Sequence, residues 1–501
     1  MAITTIPLTE VADNSVASLT VPMITPTGFR EYDARWRFPE QINLMGIQAL
    51  GLGIATQLHE MGLPPVVVVG NDYRAYSLPI KKALMVGLMA GGAEVRDIGL
   101  ALSPMAYFAQ FDLEAQAVAM VTASHNPNGW TGVKIGFDRP LTHGPAEMAR
   151  LKQIVLEGLG QIRDGGRYLP VEGVRARYIA DLVGDFRLSR PLKVICATGN
   201  GTAGWIAPEV LERIGCEVVA LHTEPDFTFP NYNANPEAME MLHDMARAVG
   251  ESGADLALGF DGDGDRCGVV DDEGEEIFAD KMGVILARDL VKLHPGATFV
   301  ADVKSTGLFA SDPELIAAGA KADYWKTGHS HMKRRVKEIG ALAGFEKSGH
   351  YFFAPPIGRG YDCGLRVAVE IVKLMDRNPG ASLSELRRAL PVTFSTPTMS
   401  PACADEAKYA VIERLQARLE AMAAAGEELG GLAIEKVVTV NGARVMLAGG
   451  AWALVRASSN TPNLVVVCES PRSADELRAI FEALDAVIRT EPTVGAYDQT
   501  F

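Results

Sequence analysis

Short apolar runs, each closed by a polar or glycine-bearing turn, punctuate this chain. Val66-Val67-Val68-Val69 runs into Gly70-Asn71-Asp72, Val194-Ile195-Cys196 into Ala197-Thr198-Gly199-Asn200-Gly201, and Phe299-Val300-Ala301 into Asp302-Val303-Lys304-Ser305. Each run is β-rich and leads into a helical pattern, which predicts a strand–loop–helix entry. Three such entries at broad spacing predict three successive α/β units. Towards the C-terminus the pattern changes. An Ala/Glu/Leu-rich helix over 406–428 precedes strands at 436–440, 452–456 and 464–468, and Ser473-Ala474-Asp475-Glu476 forms a capping box opening a last helix. That mixture predicts a small α+β domain. Candidate boundaries near Arg167-Tyr168-Leu169-Pro170, Asp272-Glu273-Gly274 and Asn378-Pro379-Gly380 divide the chain into 1–170, 171–273, 274–380 and 381–501.

At 501 residues the chain is too long for one core. A hydrophobic content of 48% and a charged content of 22% are those of a globular protein. The net charge of −15, with no Lys/Arg block, argues against nucleic acid and anionic membrane as the main partner. It leaves room for an anionic substrate in one basic cleft. Met1-Ala2-Ile3-Thr4-Thr5 lacks the basic start and apolar core of a signal peptide, and no apolar stretch is long enough to span a bilayer. The six scattered cysteines, with no CxxC, read as reduced core residues. A cytoplasmic protein is expected.

Two more apolar runs end in loops that carry chemistry. Ala117-Val118-Ala119-Met120-Val121 leads into Thr122-Ala123-Ser124-His125-Asn126-Pro127 and places a hydroxyl at a strand's end, where α/β proteins bind ligands. Alone, Ser-His-Asn-Pro is an ordinary turn sequence. Leu256-Ala257-Leu258 leads into Gly259-Phe260-Asp261-Gly262-Asp263-Gly264-Asp265-Arg266. Three carboxylates at alternate positions repel one another unless a cation neutralises them, and their spacing suits Mg²⁺. An EF-hand is excluded, because Arg266 stands where that loop needs Gly, Asp272 replaces its bidentate Glu, and the flanks read as strands. A hydroxyl on one strand-end loop and a hard-cation site on another point to phosphoryl transfer.

Two further loops read equally as polar turns when each is taken alone. Gly344-Phe345-Glu346-Lys347-Ser348-Gly349-His350 offers a carboxylate and a hydroxyl for sugar hydroxyls and an imidazole for proton transfer. Arg456-Ala457-Ser458-Ser459-Asn460-Thr461-Pro462 offers a guanidinium, hydroxyls and an amide, a suitable cradle for phosphate.

Taken in this order, the four loops resemble those of the α-D-phosphohexomutase family, most closely its bacterial phosphomannomutase/phosphoglucomutase branch. The resemblance covers nearly the whole chain. It begins at Phe29-Arg30-Glu31-Tyr32-Asp33-Ala34-Arg35 and includes Trp325-Lys326-Thr327-Gly328-His329. It implies an α/β fold, with three related α/β domains plus a smaller C-terminal α+β domain around a central cleft. Ser124 would carry the phosphoryl group and, with Asp261, Asp263 and Asp265, hold Mg²⁺; Arg266 would keep that loop closed. Lys134, in Gly132-Val133-Lys134, matches a lysine near the transferred phosphate. His350, with Lys134 as a second candidate, would handle the hydroxyl proton. Glu346 and Ser348 would select the sugar through its O3 and O4, and Arg456, Ser458, Ser459 and Asn460 would grip the phosphate that is not transferred. Tyr32, Arg35, His125, Lys304 and His329 match further substrate positions.

The implied reaction is a hexose 1-phosphate to hexose 6-phosphate interconversion, for mannose or glucose, with hexose 1,6-bisphosphate as intermediate and activator. The last domain would close over the intermediate as it turns. Small sugar phosphates are the expected partners. Trp36 stands where the family has Gly after the Arg motif, and Ser459-Asn460 replaces the commoner Asn-Thr order. The absence of Ser-Gly-Thr in that loop favours mannose and glucose over glucosamine. A glucosamine- or pentose-phosphate mutase, and a non-catalytic metal-dependent sugar-phosphate binder, are the competing readings.

Overall fold

The structure is a computed structural model that describes residues 20–458 and 461–501. The expected Ser459 and Asn460 contacts therefore lie outside the described residues. Two compact units emerge: the chain up to Ala279 together with Ser348–Ser384, and Asp280–Lys347 together with Glu385–Phe501.

The first unit holds two sheets. One runs β1-β5-β4-β2-β3-β6, from β1 (Ala34–Arg37), β2 (Val66–Asn71), β3 (Glu94–Leu100), β4 (Ala117–Val121), β5 (Trp130–Gly136) and β6 (Arg167–Pro170). Its centre is parallel, and β5 turns back antiparallel to β4. All five residues of β4 are buried, as expected of a strand covered on both faces. The helices Leu44–Glu60 and Ser77–Ala90 share its core and pack against each other so closely that a Cβ on Gly87 would lie 1.9 Å from the carbonyl oxygen of Gln48. The second sheet runs β11-β10-β9-β7-β8, from β7 (Lys193–Ala197), β8 (Glu217–Leu221), β9 (Leu256–Phe260), β10 (Cys267–Asp271) and β11 (Glu276–Ile277). In each sheet a candidate loop follows a central strand: the Ser124 loop after β4 and the Asp261–Asp265 loop after β9.

In the second unit, β12 (Thr298–Asp302) pairs in parallel with β13 (Lys321–Trp325) and β14 (Ala343–Phe345). Strand β15 (Tyr351–Phe353) falls in the chain segment that belongs to the first unit. The second unit continues with an antiparallel sheet in the order β16-β21-β20-β19-β18-β17, from β16 (Phe394–Ser395), β17 (Glu428–Leu429), β18 (Leu432–Val438), β19 (Ala443–Leu447), β20 (Trp452–Ala457) and β21 (Leu464–Ser470), and its core includes residues of the helices Lys408–Ala425 and Ala474–Ile488. The strands expected at 452–456 and 464–468 are Trp452–Ala457 and Leu464–Ser470. Only half of the expected capping box forms: Ser473 Oγ accepts the Glu476 amide, but the Glu476 carboxylate accepts from Ser470 Oγ and the Ser473 amide donates to Ser470 Oγ. The strand expected at 436–440 instead spans Leu432–Val438. Asn441-Gly442 makes the hairpin turn into β19 (Ala443–Leu447), with Gly442 at φ +75°, and the turn takes up Val440.

Within this unit Arg444 is fully buried. Its guanidinium lies 3.7 Å from the Trp452 ring centroid and 4.0 Å from that of Tyr324, and donates to the carbonyls of Val303 (2.7 Å) and Ser305 (2.8 Å). Glu469 accepts from Trp452 Nε1, the Gly307 amide and Thr306 Oγ1. All six cysteines are buried and unpaired, and no helix among the described residues is long and apolar enough to cross a membrane.

Candidate active site

Ser124 lies three residues beyond β4 and takes a left-handed backbone conformation (φ +52°), uncommon for a residue with a Cβ. Its side chain is buried, and Oγ donates to Asp261 Oδ2 at 3.0 Å, with His125 Nδ1 3.3 Å away. Asp261 sits at the end of β9, in the other sheet of the same unit. The two loops meet backbone to backbone: a Cβ on Gly262 would lie 2.5 Å from the Ser124 carbonyl oxygen, so only glycine permits the approach.

Asp261, Asp263 and Asp265 are all fully buried, and each offers a carboxylate oxygen within 4.8 Å of the others. Burial works against the charged form of all three, and for Asp263 and Asp265 the protein's cations outweigh it. Lys134, on β5, bonds Asp263 Oδ2 at 2.8 Å and also Asp265 Oδ2. Asp265 is held well below the usual carboxylate range by Lys134 and His350, whereas Asp261, which Lys134 does not bond, is pushed well above it by burial and by its two neighbours. Lys134, despite its burial, is raised well above its ordinary value by Asp263 and Asp265, and so stays a cation. Asp263 Oδ1 is buried without a hydrogen-bond partner. Buried carboxylate oxygens at this spacing, with Asp265 Oδ1 also lacking a hydrogen bond, fit a hard divalent ion.

Arg266 closes the cluster. Its amide donates to Asp261 Oδ1, its Nη1 lies 2.9 Å from Glu237 Oε2, and its Nε lies 3.4 Å from His350 Nε2. His350 in turn meets Ser348 Oγ through Nδ1 (3.0 Å) and lies 3.5 Å from Asp265 Oδ1. His125 is pushed well below the ordinary imidazole range by the Arg266 guanidinium, by burial and by Arg35. Arg35, on β1, bonds Asp33 Oδ2 (2.7 Å) and the Ala123 carbonyl (3.1 Å), so it touches the Ser124 loop itself. Its neighbour Trp36 fills the space beside Gly28, with Nε1 donating to Thr25 O at 2.8 Å. Tyr32 lies half-buried two residues ahead of β1.

The remaining expected residues belong to the second unit. Lys304 follows β12, where buried Asp302 accepts from Ser305 Oγ, from Thr327 Oγ1 (2.8 Å) and from the Lys347 amide (3.2 Å). His329 opens the helix His329–Ile339, and Glu346 Oε1 accepts the amide of Gly328 just before it. Arg456 is buried on β20 (Trp452–Ala457), and Ser458 Oγ lies 2.8 Å from Thr461 Oγ1.

Several residues had no role in the sequence reading. Ser103 Oγ donates to Asp263 Oδ2 at 2.5 Å; Asn233 bonds the His125 carbonyl; Asp72 and Arg74 brace the Ser124 loop; and Lys408 Nζ donates to Thr461 O at 3.1 Å. Only Asp72 carried a signal, as the polar end of the 66–69 strand turn.

Comparison with known proteins decides the family. The phosphoglucomutase/phosphomannomutase alpha/beta/alpha domain I matches residues 26–159, domain II 176–274, domain III 278–394, and the C-terminal domain 402–487. The chain belongs to the phosphoglucomutase/phosphomannomutase family. It is 35% identical to a phosphomannomutase/phosphoglucomutase of Pseudomonas putida over 94% of this chain and 98% of that protein. It is 33% identical to one of Pseudomonas aeruginosa over 92% and 95%. The crystal structure of a phosphoglucomutase/phosphomannomutase family protein from Burkholderia thailandensis superposes with a TM-score of 0.85 at 29% identity, covering 95% of this chain and all of that one. This phosphohexomutase has a buried Asp-rich cluster able to hold a metal ion, and its three alpha/beta/alpha domains and C-terminal domain have the fold class expected from the sequence.

Proposed function

We propose that this protein interconverts the 1-phosphate and 6-phosphate of mannose or glucose, with Ser124 as the phosphoryl carrier. One observation carries the assignment: the Ser124 hydroxyl bonds Asp261 inside a buried cluster of three aspartates that also engages Lys134. Asp261, Asp263, Asp265 and the Ser124 oxygen would hold Mg²⁺, which when bound offsets the negative charge on the transferring phosphoryl group.

The chain's own groups account for the rest. The P–O bond to Ser124 Oγ breaks as a P–O bond to a sugar hydroxyl oxygen forms, and the hydroxyl proton passes to His350. Ser348 engages Nδ1 and orients the ring, and Nε2, which Arg266 Nε–H meets only at a long 3.4 Å, is the nitrogen that takes the proton once that contact opens. The resulting hexose 1,6-bisphosphate then returns its other phosphoryl group to Ser124, and the freed sugar oxygen recovers the proton. Lys134 remains a cation and opposes charge rather than accepting a proton. Glu346 and Ser348 select the sugar through O3 and O4; Arg456, Ser458, Ser459 and Asn460 hold the second phosphate. Tyr32, Arg35, His125, Lys304 and His329 supply further contacts. The partners are small sugar phosphates rather than nucleic acid or membrane, and six buried, unpaired cysteines support a cytoplasmic setting.

Coupled assays with mannose, glucose and glucosamine 1-phosphates side by side, with intact mass before and after bisphosphate, test this reading. Turnover of the first two and a species heavier by one phosphate are expected. Ser124→Ala should abolish both; retention of more than about a tenth of the activity, roughly 1.4 kcal/mol of barrier, would reject Ser124 as the carrier.

A further inference from the structure

Ser124 is held in its left-handed conformation by a buried ion pair that stands outside the catalytic cluster. Asp72 follows β2 directly, and because β2 and β4 run parallel with Asn71 opposite Val121, Asp72 comes to lie beside Thr122. Its carboxylate accepts from Thr122 Oγ1 (2.9 Å), the Ala123 amide (3.3 Å) and Ser77 Oγ (2.5 Å), and it pairs with Arg74 Nη1. The other terminal nitrogen of Arg74 reaches the nucleophile loop, donating to the carbonyls of Ser124 (2.9 Å) and Asn126 (2.6 Å). Thr122 completes the bracket by accepting the Ser124 amide at 2.8 Å. Asp72, Arg74, Thr122 and Ser124 are all buried.

A non-glycine residue at positive φ relaxes toward ordinary backbone unless its surroundings over-determine it. Rotation about that φ would swing Ser124 Oγ away from Asp261. Here both the amide and the carbonyl of Ser124 are bound, and the donor to the carbonyl is a planar guanidinium fixed by its own carboxylate. A guanidinium can bond a carboxylate and two carbonyls at once in a rigid fork, which an ammonium cannot. No atom of Arg74 bonds the Ser124 hydroxyl, so its influence passes through the backbone.

We infer that Arg74, locked by Asp72, is a positioning residue for phosphoryl transfer, setting the direction of the Ser124 hydroxyl. The inference rests on the reading of Ser124 as the carrier. If it holds, Arg74→Lys lowers kcat by about 10- to 100-fold while KM for the sugar phosphate changes less than threefold, and it slows phosphorylation of Ser124 by hexose 1,6-bisphosphate, followed by intact mass, to a similar degree. Arg74→Ala loses more, and free guanidinium restores part of its rate, which a merely structural role would not allow. A kcat within threefold of the parent in either variant, a loss confined to KM, or an Arg74→Ala enzyme indifferent to guanidinium would overturn the proposal. So would failure of both variants to fold, which assigns the pair to stability alone. Ser124→Ala is measured in parallel: if it turns over, the carrier is misassigned; if it is dead while Arg74→Lys is normal, only the positioning role fails.

Discussion

The ammonium of Lys134 lies 2.8 Å from Asp263 Oδ2 and bonds Asp265 as well, so two of the three clustered carboxylates have a counter-ion built into the neighbouring sheet. Removing one partner of such a buried pair costs about 3–5 kcal/mol, because the anions left behind stay desolvated. Lys134→Met should therefore lower the melting temperature in chelator, and added Mg²⁺ should recover more of it than in the parent. Equal Mg²⁺ responses in thermal melts of the two proteins would show that the ammonium does not share the load with a metal.

Chelation tests the cluster itself. Excess chelator should abolish mutase activity, and Mg²⁺ should restore it. Full activity in chelator, with elemental analysis finding no metal, would count decisively against a metal-dependent reaction.

Mannose and glucose differ only at C2, so a site serving both has to hold hydroxyls they share. Glu346→Ala should weaken turnover of both 1-phosphates by similar factors, about 1–3 kcal/mol each for a lost buried hydrogen bond. Because Glu346 also accepts the Gly328 amide, the same variant should melt earlier than the parent. A divergence above about tenfold between the sugars (more than about 1.4 kcal/mol) would mean that Glu346 reads C2.

Glu276 on β11 should make stability depend on pH near neutrality. Burial, with Glu237 nearby, pushes its carboxyl from 4.5 up to about 7. The folded state thus binds more protons than the unfolded one between these values, and stability falls as pH rises through that window. Glu276→Gln should flatten this part of a denaturant-midpoint profile from pH 4.5 to 8. An unchanged slope would place the titration elsewhere.

Arg444 joins the C-terminal sheet to the Lys304 loop through two carbonyl bonds. Arg444→Met keeps the apolar contact with Trp452 and Tyr324 but leaves the Val303 and Ser305 carbonyls unbonded, costing about 1–3 kcal/mol. A lower melting temperature with KM for sugar phosphate raised more than kcat is lowered is expected; unchanged kinetics would restrict Arg444 to holding the sheet.

Local pattern determined a good deal here by itself. Apolar runs closed by polar turns located β4 and the starts of β2, β7, β9 and β12, because a strand buried on both faces needs an uninterrupted apolar run and its loop does not. The same pattern marked Ser124 and the Asp loop as strand-end positions, and three alternating carboxylates repel one another unless a cation neutralises them. The tertiary structure decided which partners those groups meet. Nothing in Gly132-Val133-Lys134 says that its ammonium neutralises Asp263 and Asp265, a contact between loops 129 and 131 positions apart. Nor does Asp72-Tyr73-Arg74 announce a brace for the Ser124 backbone. Such contacts depend on the register between β2 and β4 and on two sheets meeting at Gly262, and register and sheet packing are properties of elements brought together from distant parts of the chain, which no local window of sequence contains.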